Sequence, residues 1–220
     1  PKIKSKSKVR KENDEQRYNV LVLDTSASSS FLDSSGNIFY TADTAIDYVK
    51  SSAKKFIEGV QKADGTNYVA IVEYKGSTAN VVSEFSTDFV SLNAAIDGLY
   101  ASQNTRNVAA GLQKADTLIN EISNPKAIKN VVLFTTGMTN EGEYSYDGHY
   151  NEDTIGSEWR RSDTQVRLYA YSNAAYAMAE TLKSKATVYS VGLFQMMENM
   201  PEGGLEIVFF RISYIIRTFL

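Results

Sequence analysis

The run Asn19-Val-Leu-Val-Leu-Asp24 restricts the fold more than any other feature of this chain. It is a continuous apolar stretch of strand length, which marks a strand buried on both faces rather than on one. It ends abruptly in a polar loop, Thr25-Ser-Ala-Ser-Ser-Ser30. Similar strands are predicted at Asn67–Tyr74, Val131–Phe134 and Thr187–Phe194. Between the first two, Ile46, Val49, Ala53, Phe56, Ile57 and Val60 recur at spacings of three and four, one face of a helix over about 42–61. Ala79–Phe85 follows the second strand after only Lys75-Gly76-Ser77-Thr78, so it is expected to turn back as an antiparallel hairpin partner. Helical patterns cover Phe89–Leu99, about 106–122 and about 163–184. Strands that alternate with helices predict an α/β fold: a mostly parallel central sheet with one antiparallel strand, flanked by helices.

At 220 residues the chain is long enough for one domain of generous size. It has no cysteine and a single histidine, His149. Disulfides, thiol catalysis, zinc ribbons and any site built on two histidines are therefore excluded. A bound metal would have to be held through oxygen. The formal net charge of -3 gives no general attraction to nucleic acid. No apolar run reaches the roughly 18 residues of a transmembrane helix, so no membrane insertion is expected of this segment.

Residues 1–17 carry seven basic and three acidic residues and almost nothing apolar, which reads as a basic flexible linker. They lack the aromatic residues that stack on bases. The opening has no initiator Met and no hydrophobic signal core, so the chain is expected to be part of a longer protein. The domain proper is expected over 18–220. It carries a tyrosine-rich insert at about 141–162 and an atypical, almost wholly apolar tail from about 195.

Ligands of such sheets bind beyond the carboxyl ends of the strands. Three polar loops fall there: 24–30, 102–107 and 135–141. In the first, Asp24, Ser26 and Ser28 offer one carboxylate and two hydroxyls on alternate residues, hard oxygen donors of the kind Mg²⁺ prefers. The same residue types also populate turns and helix caps, so the spacing alone leaves both readings open.

The stretches VLVLDTSASS, NTRNVAAGLQKA, VVLFTTG and ATVYSVGLF, with the hairpin after the first helix, together resemble a von Willebrand factor type A domain over roughly 18–194. The resemblance implies a Rossmann-like fold and a metal-ion-dependent adhesion site, at which a divalent cation is completed by an acidic residue of a protein partner. It places Asp24, Ser26 and Ser28 at that site, with Mg²⁺, or Mn²⁺ or Ca²⁺, as the cation. It also implies a threonine before the helix that reads AAGLQKA. Thr105 is the preferred residue, although the stricter register falls on Arg106; a guanidinium facing a cation would repel it. Where the family usually has an aspartate before the glycine of VVLFTTG, this chain has Thr136, so weaker cation binding is implied. Thr136 could still hold a metal-bound water, and Glu141 or Glu143 could approach.

Tyr144, Tyr146 and Tyr150 of the insert are candidate partner contacts, since tyrosine supplies large contact area at low entropic cost. Tyr169 and Tyr176 are expected to pack, and His149 to lie exposed in the loop. The resemblance thus implies a non-enzymatic adhesion module at a bacterial cell surface. The alternative is a structural or assembly module with a vestigial metal site. An enzyme using Asp24 as a phosphoryl-accepting nucleophile is a third reading, but it lacks the second carboxylate such chemistry wants, because position 26 is serine.

Overall fold

The computed structural model describes residues 15–27, 31–32, 38–40, 42–145, 148–151 and 164–192. The basic segment through residue 14, Ser28, Tyr146, most of the second half of the insert and the tail from 193 lie outside the described residues.

The central sheet has five strands: β1 (Gln16–Asp24), β4 (Thr66–Lys75), β5 (Thr78–Ser86), β6 (Ile128–Thr135) and β7 (Thr187–Gly192), in the order β5-β4-β1-β6-β7. β1 pairs in parallel with β4 on one side and with β6 on the other, and β7 is parallel to β6. β5 is antiparallel to β4, as the short glycine-bearing link requires. Gly76 in that link has φ of +57°, a conformation open to glycine at no steric cost. A two-stranded ribbon of β2 (Phe31–Leu32) and β3 (Ile38–Tyr40) stands apart from the sheet and was not expected from the sequence. Among the described residues the helices are α1 (Ala42–Lys62), α2 (Phe89–Asp97), α3 (Val108–Asn120) and α4 (Thr164–Lys183).

The apolar run of β1 explains the layering. Alternate side chains of a strand face opposite sides of the sheet. Val20 and Val22 enter a core with Ala70, Val72, Val131 and Leu133 beneath α3 and α4. Leu21 and Leu23 enter a second core with Val69, Ile71, Val132 and Phe134 beneath α1 and α2. Every apolar residue of β1 from Val20 to Leu23 is fully buried.

Helix α3 can pack tightly on the sheet because Gly111 faces it. A Cβ at Gly111 would stand 2.9 Å from Val22 Cγ1 and 3.0 Å from Tyr74 Cδ1. Neither neighbour can retreat, since both are fully buried. Gly111→Ala should therefore lower the unfolding free energy by about 1–3 kcal/mol through overpacking, despite alanine's better helix propensity. Urea unfolding followed by far-ultraviolet circular dichroism would measure this, and an unchanged or raised midpoint would show that the helix can lift without cost.

Candidate functional site

Strand order reverses at β1, so the loop after β1 and the loop after β6 stand side by side at the carboxyl edge of the sheet. The loop before α3 closes over them. It is stitched down by backbone hydrogen bonds: Ser102 N–H donates to the Thr25 carbonyl at 3.0 Å, and Ala27 N–H donates to the Gln103 carbonyl at 2.7 Å. Gly76 N–H donates to the Thr105 carbonyl at 2.7 Å, tying the β4–β5 turn to the same loop. Asn107 caps α3, its side chain accepting from Ala110 N–H at 3.0 Å.

Asp24 ends β1 with its side chain fully buried. Its carboxylate accepts four hydrogen bonds. Oδ1 takes Ser26 N–H at 3.0 Å and the Ser26 hydroxyl at 2.7 Å. Oδ2 takes Thr136 N–H at 3.0 Å and the Thr136 hydroxyl at 2.7 Å. The two loops that flank β1 and β6 are thus joined through a single carboxylate.

The positive charge facing it is Arg106. Its Nη1 lies 3.6 Å from Asp24 Oδ2 and donates to Thr136 Oγ1 at 3.2 Å. The Arg106 side chain is only 4% exposed. Its guanidinium lies against Gly137, in the space that a Cβ at that position would occupy. Its backbone is clamped as tightly: Arg106 N–H donates to Asn140 Oδ1 at 2.8 Å, and its carbonyl accepts from Asn140 N–H at 3.1 Å and from the Thr139 hydroxyl at 3.1 Å.

Just beneath, Tyr74 is completely buried and donates its hydroxyl to the Phe134 carbonyl at 3.0 Å. Burial, and then the nearby Asp24 carboxylate, hold its phenol well above its ordinary value. It is a neutral strut of the site floor at any physiological pH.

The structure therefore brings together Asp24, Ser26 and Thr136, and turns the Arg106 guanidinium toward them. Thr105 meets the β4–β5 turn through its carbonyl. Glu141 accepts from the neighbouring Gly142 N–H at 3.2 Å, and Glu143 is exposed. Ser28 lies outside the described residues.

The tyrosine candidates divide. Tyr144 is 57% exposed and meets Tyr171 edge-on at 5.6 Å. Tyr150 is fully buried against Tyr169, with ring centroids 5.5 Å apart. The Asn173 side chain brackets the Tyr150 backbone, accepting from its N–H at 2.7 Å and donating to its carbonyl at 2.8 Å. A ring held in this way is an anchor of the insert on α4 and offers no surface to a partner. His149 is likewise no free loop residue, because it stacks on Tyr176 at 3.9 Å. Tyr146 lies outside the described residues.

Residues 19–138 match the von Willebrand factor type A domain. The chain belongs to that family. A 99-residue stretch is 26% identical to the collagen alpha-1(VI) chain of Xenopus laevis, covering 44% of this chain and 10% of that one. The PilB minor pilin of Streptococcus sanguinis superposes with a TM-score of 0.55 at 17% identity, over 81% of this chain and 50% of the pilin. Proximal thread matrix protein 1 of the mussel byssus gives 0.53 at 15% identity, over 92% of this chain and 42% of that protein. These likenesses establish the fold. The chain spans a tenth of its collagen relative and about half of the pilin.

The cation site implied by the family does not fit the residues present. Both oxygens of Asp24 are already taken up by protein donors, and a guanidinium that cannot lose its proton stands 3.6 Å away. A divalent ion about 4 Å from that guanidinium would be repelled by roughly 8 kcal/mol at an effective dielectric constant near 20. Among the described residues, no group of three or more aspartate, glutamate or histidine side chains is placed to hold a metal ion.

Asp24→Ala would remove the carboxylate 3.6 Å from the buried Arg106 Nη1 and would strip the acceptor from Ser26 and Thr136. Loss of one member of a buried pair costs about 3–5 kcal/mol. Urea unfolding should show a loss of that size; a loss below about 1 kcal/mol, the range of an exposed pair, would mean that the pair does not hold the loops together.

Proposed function

We propose that the chain is a non-enzymatic protein-binding module of an extracellular, bacterial surface protein, and that it engages its partner without a bridging divalent cation. The observation that carries this reading is a von Willebrand A-type domain whose carboxyl-edge site is closed by Asp24 and Arg106. A family scaffold built around loop-borne recognition supports binding. A carboxylate that already accepts four hydrogen bonds from Ser26 and Thr136 is a poor nucleophile. The surface setting draws support from the names of proteins sharing the fold, a minor pilin and a byssal matrix protein. The cation-bridged form of the reading, in which a partner carboxylate completes a metal site, is set aside because the residues do not accommodate the ion.

Recognition then rests on exposed tyrosines that neighbour the site loops in sequence. Tyr100 is 66% exposed, just before the loop that carries Arg106, with the Lys75 ammonium 4.6 Å from its ring centroid. Tyr144 follows the loop that carries Thr136. Exposed tyrosines of this kind are the side chains that dominate protein–protein affinity. An assembly role in a longer fibre uses the same surface, with a neighbouring subunit as partner.

The test is to immobilise the chain and offer it a panel of extracellular matrix proteins and pilus subunits, in millimolar Mg²⁺ and in excess EDTA. Saturable binding with the same dissociation constant in both buffers is expected, weakened about tenfold or more by Tyr100→Ala or Tyr144→Ala. Binding that vanishes in EDTA would sink the cation-free mode. Turnover of phosphate or ester substrates that disappears with Asp24→Asn would sink the binding-module reading itself.

A further inference from the structure

We infer that Arg106 is a built-in replacement for a divalent cation: its guanidinium supplies, from within the chain, the positive charge that ties the three carboxyl-edge loops together, and it keeps free metal ions out. The inference concerns how the site is held, whatever the partner is.

Three observations carry it. The first is position. The guanidinium comes from the loop before α3 and reaches a residue of each of the other two loops, Asp24 beside the first and Thr136 in the third. This is the bridging task that a cation would perform on the same oxygen atoms. The second is the burial of the pair. The side chains of Arg106 and Asp24 are 4% and 0% exposed, so a solvated partner group cannot reach the pair without opening the loops. The third is the shaping of the surroundings. Gly137 leaves the guanidinium its space, and Asn140 and Thr139 fix the Arg106 backbone by hydrogen bonds to both its N–H and its carbonyl. A long side chain loses considerable rotamer freedom when held this way. The surroundings supply the compensating contacts.

Two explanations for metal exclusion can be separated. In one, the site rejects cations because Arg106 fills it. In the other, it merely lacks a second carboxylate, since position 136 is threonine. Adding a carboxylate at 136 should leave the first kind of site closed and open the second.

Chelator-stripped wild type, Arg106→Thr, Arg106→Lys and Thr136→Asp would be melted in EDTA and across a titration of MnCl₂ alone, with Mn²⁺ binding read directly from the paramagnetic resonance signal of the free ion. Wild type should give the same midpoint throughout and bind no Mn²⁺. Arg106→Thr, which removes the guanidinium and leaves a hydroxyl near the loop backbone, should melt lower in EDTA. It should recover saturably with Mn²⁺, by roughly 5–10 °C at a hundredfold excess over the dissociation constant, and lose that response when Asp24→Asn is added. Arg106→Lys keeps a charge in the site and should fold without a Mn²⁺ response. Thr136→Asp should also remain unresponsive.

Wild-type binding of Mn²⁺ that Asp24→Asn abolishes would overturn the inference. So would Mn²⁺ binding by Thr136→Asp with Arg106 in place, or a folded Arg106→Thr that gains no cation response. If Arg106→Thr does not fold, the wild-type and Thr136→Asp titrations decide alone.

Discussion

A buried ion pair between Asp24 and Arg106 lies where three loops, already stitched together by backbone hydrogen bonds, meet. Each loop is fixed at one end by a strand or helix of the sheet layers, but the free ends carry polar groups into a space closed to water. Taking two charges out of water is costly, and the mutual attraction offsets that cost only when the remaining hydrogen-bonding capacity is satisfied as well. Here it is, for the Asp24 carboxylate: Ser26 and Thr136 each give it a backbone N–H and a hydroxyl. The arrangement is therefore all-or-none. Remove one charge and the other loses the opposite charge it faces.

The charge balance makes sense of two departures that look unrelated in the sequence. The family resemblance implies an aspartate before the glycine of VVLFTTG, and a divalent ion. Two carboxylates against a doubly charged ion give a neutral site. This chain has Thr136 at that place and Arg106 in the loop before α3. Among the described residues, one carboxylate faces one guanidinium, which is neutral too. Each change taken alone would leave a buried charge of one unit, which a low-dielectric site does not tolerate. Taken together they preserve neutrality and move the positive charge from solution onto the chain.

Much of this fold was legible because its strongest signals are physical necessities. A strand such as Val20–Leu23 with no polar side must be covered on both faces, and that single fact calls for helices above and below the sheet. The Gly76 link is too short for anything but a hairpin. The α3 face from Val108 to Ile119 repeats at helical spacing, and those residues are the ones buried. The ribbon of Phe31–Leu32 and Ile38–Tyr40 was not legible, because two- and three-residue strands carry no periodicity to read. Tyr150 was misjudged for a related reason. In an irregular segment, sequence spacing says nothing about which way a ring points, and the Asn173 side chain that fixes it is 23 residues away.

Arg106 shows a different kind of difficulty. The register placed it at the site, and electrostatics argued against it, correctly, as long as a cation was assumed to be there. The assumption was the weak step. The missing aspartate at 136 and the arginine at 106 are each ambiguous alone, and only their pairing across 30 residues carries the signal. That pairing could be recognised from sequence by asking whether the site's charges sum to zero without the ion. A site that binds a free cation must be open enough for the ion to exchange with water. A site that carries its own cation can bury it, as Arg106 is buried here, and its stability then no longer depends on the ionic composition of the medium.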